Sequence, residues 1–300
     1  MRGATRSVAG SSGLHCAEEA ASLLRNKQYL SFSAESPKDI QFKSATDFSF
    51  TSAVVTPWAE NNLVHGKLFK AGSRWRERAS VVLVHGWNGE LGYRYQFPAL
   101  AWRLARAGLN VAMLELPYHA QRKPRNTTAI TNFISHDLFR MAEATRQATS
   151  DVRSLVAWLH GQAAPSISLW GISLGAWLAG LVACHEPRVN IVVLMSPVVR
   201  MDRAVAELPF CEPVRRSLEQ AHLPLDAFNL ISYRPLPSPE NILLIESRFD
   251  LFASVETVEE LWRAWGQPNI WRLRHGHISI LASPLVMERT VRWLVRATRS

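Results

Sequence analysis

The chain has 300 residues and a mass of 33.7 kDa, with 47% hydrophobic and 20% charged residues, enough apolar content for a sizeable core and too much for a wholly disordered chain. The net charge is +9, but all but six of the 34 basic residues are arginine and they are scattered in ones and twos. The nearest thing to a run is Arg74-Trp75-Arg76-Glu77-Arg78, and nucleic-acid binders concentrate their charge in a stripe, so no nucleic-acid partner is expected.

Cys16, Cys184 and Cys211 lie far apart without a CxxC pair, which argues against a disulfide framework and a zinc ribbon. Met1 to Ser12 has two arginines and no apolar core of a secretory signal. No stretch approaches the ~18 apolar residues of a transmembrane helix. Asn126-Thr127-Thr128 fits a glycosylation sequon, read here as a chance match. A cytoplasmic protein with no transmembrane segment is expected.

Residues 1–45 read as an N-terminal extension, partly disordered over its first dozen residues, with a short helix between Ala17 and Leu30. The main domain is expected over 46–300. Phe48 to Val55 and Asn62 to Phe69 are strand candidates, and the basic loop Lys70 to Arg78 follows. Ala79 to His85 is a continuous apolar run, the mark of a strand buried on both faces. It ends in His85-Gly86-Trp87-Asn88-Gly89. An amphipathic helix is predicted from Tyr93 to Ala107, stopped by Gly108. Leu109 to Leu116 is the next buried strand, followed by a polar loop, a long helix from Asn132 to His160 and the Gly161 stop.

Ile167 to Trp170, then Gly171, Ser173 and Gly175, then a long apolar run with small residues, read as strand, sharp turn and helix with a serine at the apex. Val189 to Met195 is a further buried strand. Residues 198–238 break the alternation and read as an insertion of short helices. Asn241 to Glu246 is a strand leading into Ser247-Arg248-Phe249-Asp250. Ser254 caps a helix with Val255, Val258, Leu261, Trp262 and Trp265 on one face. Asn269 to Leu273 is the last strand, before His275-Gly276-His277. Ser283-Pro284 opens a terminal helix with Leu285, Val291, Leu294 and Val295 facing inward. Buried strands alternating with helices imply an α/β fold, a mostly parallel central sheet with helices on both faces. Chemistry in such sheets collects at the carboxyl ends of the strands.

Gly171-Ile172-Ser173-Leu174-Gly175 fits G-x-S-x-G, the nucleophile elbow. Side chains at 171 or 175 would collide where the strand folds back on the helix. A serine hydroxyl needs a base, the base needs a carboxylate, and the oxyanion needs two N–H donors. Ser173, Asp250 and His277 each fall at a strand end, in the chain order Ser, Asp, His. Glu246 and Asp202 are rival acids. His275 is the rival base, since it is two residues from His277 and shares its face on an extended backbone. The His275-Gly276-His277 spacing lacks a further His or Cys cluster, so no metal and no cofactor is expected. His85 and His119 read as structural.

On these motifs the chain resembles the α/β-hydrolase superfamily over roughly residues 60–298. His85-Gly86-Trp87-Asn88-Gly89 resembles the family's HG-x-x-G loop, Gly171 to Gly175 its elbow, Phe249-Asp250 its acid loop and Gly276-His277 its catalytic histidine. The run Glu115 to Pro124 is similar to a stretch in poorly characterised α/β-hydrolase-domain proteins. The resemblance implies an oxyanion hole from the backbone N–H groups of Trp87 and Leu174, and a small helical lid over about 198–238. Glu115 stands where the family often has Asp, Tyr118 and Ala120 where glycine is usual, and Ile172 where many esterases carry a polar residue. The expected activity is that of a serine esterase on a small acyl substrate, acting through an acyl-enzyme. A non-catalytic scaffold and an acyltransferase on the same triad are the alternatives.

Overall fold

The computed structural model describes residues 18–26, 29–30, 34–125, 133–223 and 225–299. The expectations for the first dozen residues, for Cys16 and for the 126–128 sequon lie outside the described residues. Among them, nine strands form one sheet: β1 (Gln41–Phe42), β2 (Asp47–Thr51), β3 (Leu63–Phe69), β4 (Ser80–Val84), β5 (Asn110–Leu114), β6 (Ile167–Ile172), β7 (Ile191–Met195), β8 (Ile242–Ser247) and β9 (Asn269–Leu273). Their order is β1-β2-β3-β5-β4-β6-β7-β8-β9. The first three strands pair antiparallel, and β3 joins β5 antiparallel. From β5 to β9 every pairing is parallel. The chain is therefore α/β with a mostly parallel sheet.

Strands β4 to β8 are buried along their whole length, because both sheet faces are covered. Alternate residues serve opposite layers, as the two-residue period of a strand requires. Val82, Leu169, Val192 and Leu244 point into one apolar layer. It is covered by α3 (Leu138–Gly161), α4 (Leu174–Ala183) and α7 (Val255–Ala264). Val81, Trp170, Val193 and Ile245 point into the other. It is covered by α2 (Phe97–Arg106) and α9 (Pro284–Ala297). An earlier short helix, α1, covers residues 18–25.

Several local expectations shift. The helix predicted from Tyr93 opens with a π-helical turn, Gly92–Gln96, before α2 begins. The long helix starts at Leu138, where the Asp137 side chain accepts from the Arg140 N–H and caps it; Asn132 lies outside the described residues. In α9 Leu285 faces outward at 78% exposure and its neighbour Val286 is the buried residue. The inward stripe therefore begins one position later, at Val286, and continues through Val291 and Leu294.

Residues 198–238 fold as short helices, with α5 (Met201–Glu207) and α6 (Glu212–Ala221) linked by single 3-10 turns at Pro209–Cys211, Asp226–Phe228 and Leu230–Ser232. The insertion is anchored from below. The Trp177 indole donates to the Phe228 carbonyl at 2.6 Å. Within the insertion, the Leu230 N–H donates to the Val199 carbonyl at 2.9 Å. No described helix is long and apolar enough to cross a membrane.

The extension before residue 46 contributes to this body. Tyr29 and Leu30 are buried in the first layer, and the Tyr29 hydroxyl donates to the Ala142 carbonyl at 2.7 Å. On the antiparallel side, a buried polar cluster ties β2, β3 and the loop after β5 to α3. Arg122 is 2.8 Å from Asp151 with both side chains wholly buried. Arg122 also donates to the carbonyls of Asn61 and Glu115, and Asp151 accepts from Ser52 at 2.6 Å. A guanidinium with every carbonyl and carboxylate partner in place offsets most of its desolvation, but one left without its carboxylate does not. Asp151→Ala is expected to lower unfolding free energy by about 3–5 kcal/mol, read as a drop in the urea midpoint with little change in slope.

Candidate active site

Ser173 sits between β6 and α4 with φ 56° and ψ −121°, a backbone conformation that costs an L-residue free energy. The two flanking glycines show why the turn can close. A Cβ on Gly171 would lie 2.2 Å from the Gly175 carbonyl oxygen, and one on Gly175 would lie 2.2 Å from the Val84 carbonyl oxygen. Both collisions are with backbone, which cannot swing away.

The hydroxyl of Ser173 is 2.8 Å from His277 Nε2. His277 opens the short helix α8 (His277–Leu281), just past β9. Its Nδ1 is 2.8 and 2.9 Å from the two carboxylate oxygens of Asp250, in the loop after β8. Asp250 Oδ1 also accepts the N–H groups of Phe252 and Ala253, each at 2.9 Å, so its carboxylate is held by its own loop. The Asp250 side chain is wholly buried and that of His277 is 10% exposed. A carboxylate that accepts from Nδ1 leaves Nε2 facing the serine as a proton acceptor.

The rival residues lie elsewhere. His275 Nδ1 pairs with the Ser279 hydroxyl at 3.3 Å rather than with Ser173. Asp202 is tied to Arg200 at 2.6 Å and to the Arg203 N–H. Glu246 is buried within β8, with the Glu259 carboxylate and Arg272 as its charged neighbours rather than His277. Burial raises its pKa above the usual carboxylate value.

The loop after β4 passes directly over the serine, and a Cβ on Gly86 would stand 3.3 Å from Ser173 Cβ. His85 pins this loop. Its Nδ1 lies 2.8 Å from the Gly86 carbonyl and its Nε2 takes the Leu116 N–H at 3.1 Å. A carbonyl only accepts and an N–H only donates, so His85 is the neutral Nδ1–H tautomer. His119 packs edge-on against it at 5.1 Å and bonds the Pro117 carbonyl at 2.8 Å. The next loop explains the two departures from the family pattern: Tyr118 and Ala120, where glycine is usual, both take positive φ, 63° and 46°. Tyr118 is buried and its N–H donates to Asn61 at 2.9 Å, so tertiary bonding stabilises what glycine would adopt freely.

Trp87 is half-buried and Leu174 is the first residue of α4, where N–H groups have no partner within the helix. Among the apolar residues of the insertion, which the sequence leaves open between an acyl pocket and lid core, Phe210 joins a row of rings at this site that no sequence pattern grouped. Phe210 of the insertion stacks on Trp87 at 4.8 Å and meets Phe252 at 6.2 Å, and Phe252 lies 4.9 Å from the His277 ring. Phe252 stands two residues past Asp250, the one sequence signal that placed it near the site.

Comparison with protein families matches residues 26–223 to alpha/beta hydrolase domain containing 18. The chain belongs to this family. The matched segment includes Ser173 and ends before Asp250 and His277. Uncharacterized proteins from two strains of Mycobacterium tuberculosis are 31% identical over 231 residues, 73% of this chain and 53% of each relative. The chain thus spans about half the length of the curated relatives it matches. Among solved structures, an acetyl xylan esterase from Paenibacillus sp. R4 superposes with a TM-score of 0.62 at 16% identity, covering 96% of this chain and 94% of that one. An esterase of Pyrococcus furiosus gives 0.59 at 17% identity, covering 88% and 98%. At such identities the likeness is one of fold, the α/β-hydrolase fold.

Burial, then the nearby His119, push the His85 pKa down from 6.5 to about 3. The unfolded chain therefore takes up this proton first, and folded stability is full above pH 6.5 and falls as pH drops toward about 3. His85→Asn, which keeps a donor for Gly86, is expected to show a shallower loss of unfolding free energy over that range. Urea titrations at a series of pH values measure the slope.

Proposed function

We propose that this α/β-hydrolase-family protein is a serine hydrolase that cleaves a carboxylic ester or related acyl bond. The observation that carries the reading is the unbroken relay from Asp250 through His277 to the Ser173 hydroxyl, with both links at 2.8 Å. Ser173 is the nucleophile, His277 the general base and Asp250 the carboxylate that holds its tautomer.

In the first step the Ser173 oxygen attacks the acyl carbon while its proton passes to His277 Nε2. The imidazolium then protonates the leaving alcohol, and an acyl-serine remains. Water, deprotonated by His277, attacks the acyl carbon and releases the acid and free serine. The N–H groups of Leu174 and Trp87 are assigned to the oxyanion. The first lies at the positive end of α4, and the second is in the loop that Gly86 lets approach the serine. No step requires a cofactor. The domain that carries the reaction is assigned to residues 46–300, with the 198–238 insertion as its lid.

Ser173→Ala is expected to reduce kcat on p-nitrophenyl esters by about 10,000-fold or more, with the melting temperature little changed because the backbone strain is the same. Asp250→Asn is expected to cost about 10,000-fold through the wrong histidine tautomer. His277→Ala should match the serine variant, and His275→Ala should keep activity. Full activity in His277→Ala with loss in His275→Ala would reverse the assignment of the base.

A further inference from the structure

We infer that Phe210 is the specificity-determining residue of this site, an apolar gate that admits esters of compact acyl groups and holds back long chains. The inference rests on the hydrolase reading and adds a substrate class to it.

The contacts around the serine close on themselves. Ser173 meets His277, His277 meets Phe252, Phe252 meets Phe210, and Phe210 stacks on Trp87. Trp87 follows Gly86, whose backbone lies against Ser173. Five members of this circuit come from the turns at the carboxyl ends of the sheet strands. Phe210 alone comes from the insertion, and without its ring the circuit is open on that side. A substrate carbonyl held between Ser173 and the Trp87 N–H therefore lies beside the Phe210 ring that stacks on Trp87.

Phe210 differs from its apolar neighbours in the insertion. Met201, Leu225, Phe228 and Leu230 are buried and serve as the insertion's own core, whereas Phe210 is 41% exposed. It rides on the single turn Pro209–Cys211, so its ring can move or be removed without unpacking that core. Behind Phe252, between α5 and the acid loop, runs a crevice bounded by Arg200, Leu208, Leu251 and Phe252, of ≈ 20 Å³. That is room for about one water and none for an alkyl chain. With the Phe210 and Phe252 rings 6.2 Å apart, an acyl chain extending to the insertion side meets a ring pair backed by this narrow crevice. A short acyl group ends before it.

The test compares kcat/KM for p-nitrophenyl acetate and octanoate in the full chain, with wild type beside Phe210→Ala and Phe210→Tyr. Wild type is expected to favour acetate. Phe210→Ala should raise the octanoate-to-acetate ratio by about tenfold or more, and Phe210→Tyr, which keeps the ring, should leave it within about twofold. Circular dichroism and fluorophosphonate labelling of each variant confirm fold and an active serine. An unchanged ratio in a folded, labelled Phe210→Ala, or a wild type that already favours octanoate, would overturn the gate while leaving the hydrolase reading intact. A folded wild type that neither labels nor cleaves any ester would overturn both.

Discussion

The site depends on a close approach of backbone to backbone at the β6–α4 turn. With hydrogen atoms at 171 and 175, the strand end, the helix start and β4 come nearer than any side chain would permit. That contact holds Ser173 at φ 56° and lifts its hydroxyl clear of the sheet. It also sets the first turn of α4 beneath it. The cost of one strained residue is small beside the burial of β6 and α4, nearly every residue of which is enclosed. The parallel sheet does the rest. Its pairings bring the carboxyl ends of β4, β6, β8 and β9 to one rim, and the turns that leave them carry the Gly86–Trp87 loop, Ser173, Asp250 and His277.

The remaining structure holds those turns at fixed separations. Asp250 is fixed by two amides of its own loop, and His85 bridges the loops after β4 and β5 as a buried neutral ring. Arg122 and Asp151 bind the antiparallel strands to α3 on the far side of β5. Three links, His85 to Leu116, Asp250 to His277 and Arg122 to Asp151, join interior polar groups distant in sequence. Each therefore fixes tertiary geometry rather than local conformation.

Much of this was legible in the chain. Continuous apolar runs such as Val81 to Val84 and Ile191 to Met195 announce strands covered on both faces, and the parallel sheet follows from the helices between them. Gly171, Ser173 and Gly175 announce the elbow because their chemistry is local. The order of Asp250 and His277 after it located the two partners, and the structure brings both to the serine while His275, Glu246 and Asp202 find other neighbours. What could not be read depends on distant pairing. Nothing near Arg122 in sequence points to Asp151. Nothing in the amphipathic pattern of the insertion separates Phe210 from Phe228, though one stacks on Trp87 at the surface and the other is core. Leu285 failed for a simpler reason, since periodicity leaves the exact phase of a helix face open by one residue at its first turn.

The central claim is that the serine at this turn is an activated nucleophile. Its most direct measurement is to treat the folded protein with a fluorophosphonate, digest it and locate the added mass. The account predicts a single adduct on Ser173, formed in wild type and absent after prior denaturation. A folded protein that gains no adduct, or gains it on another residue, would contradict it.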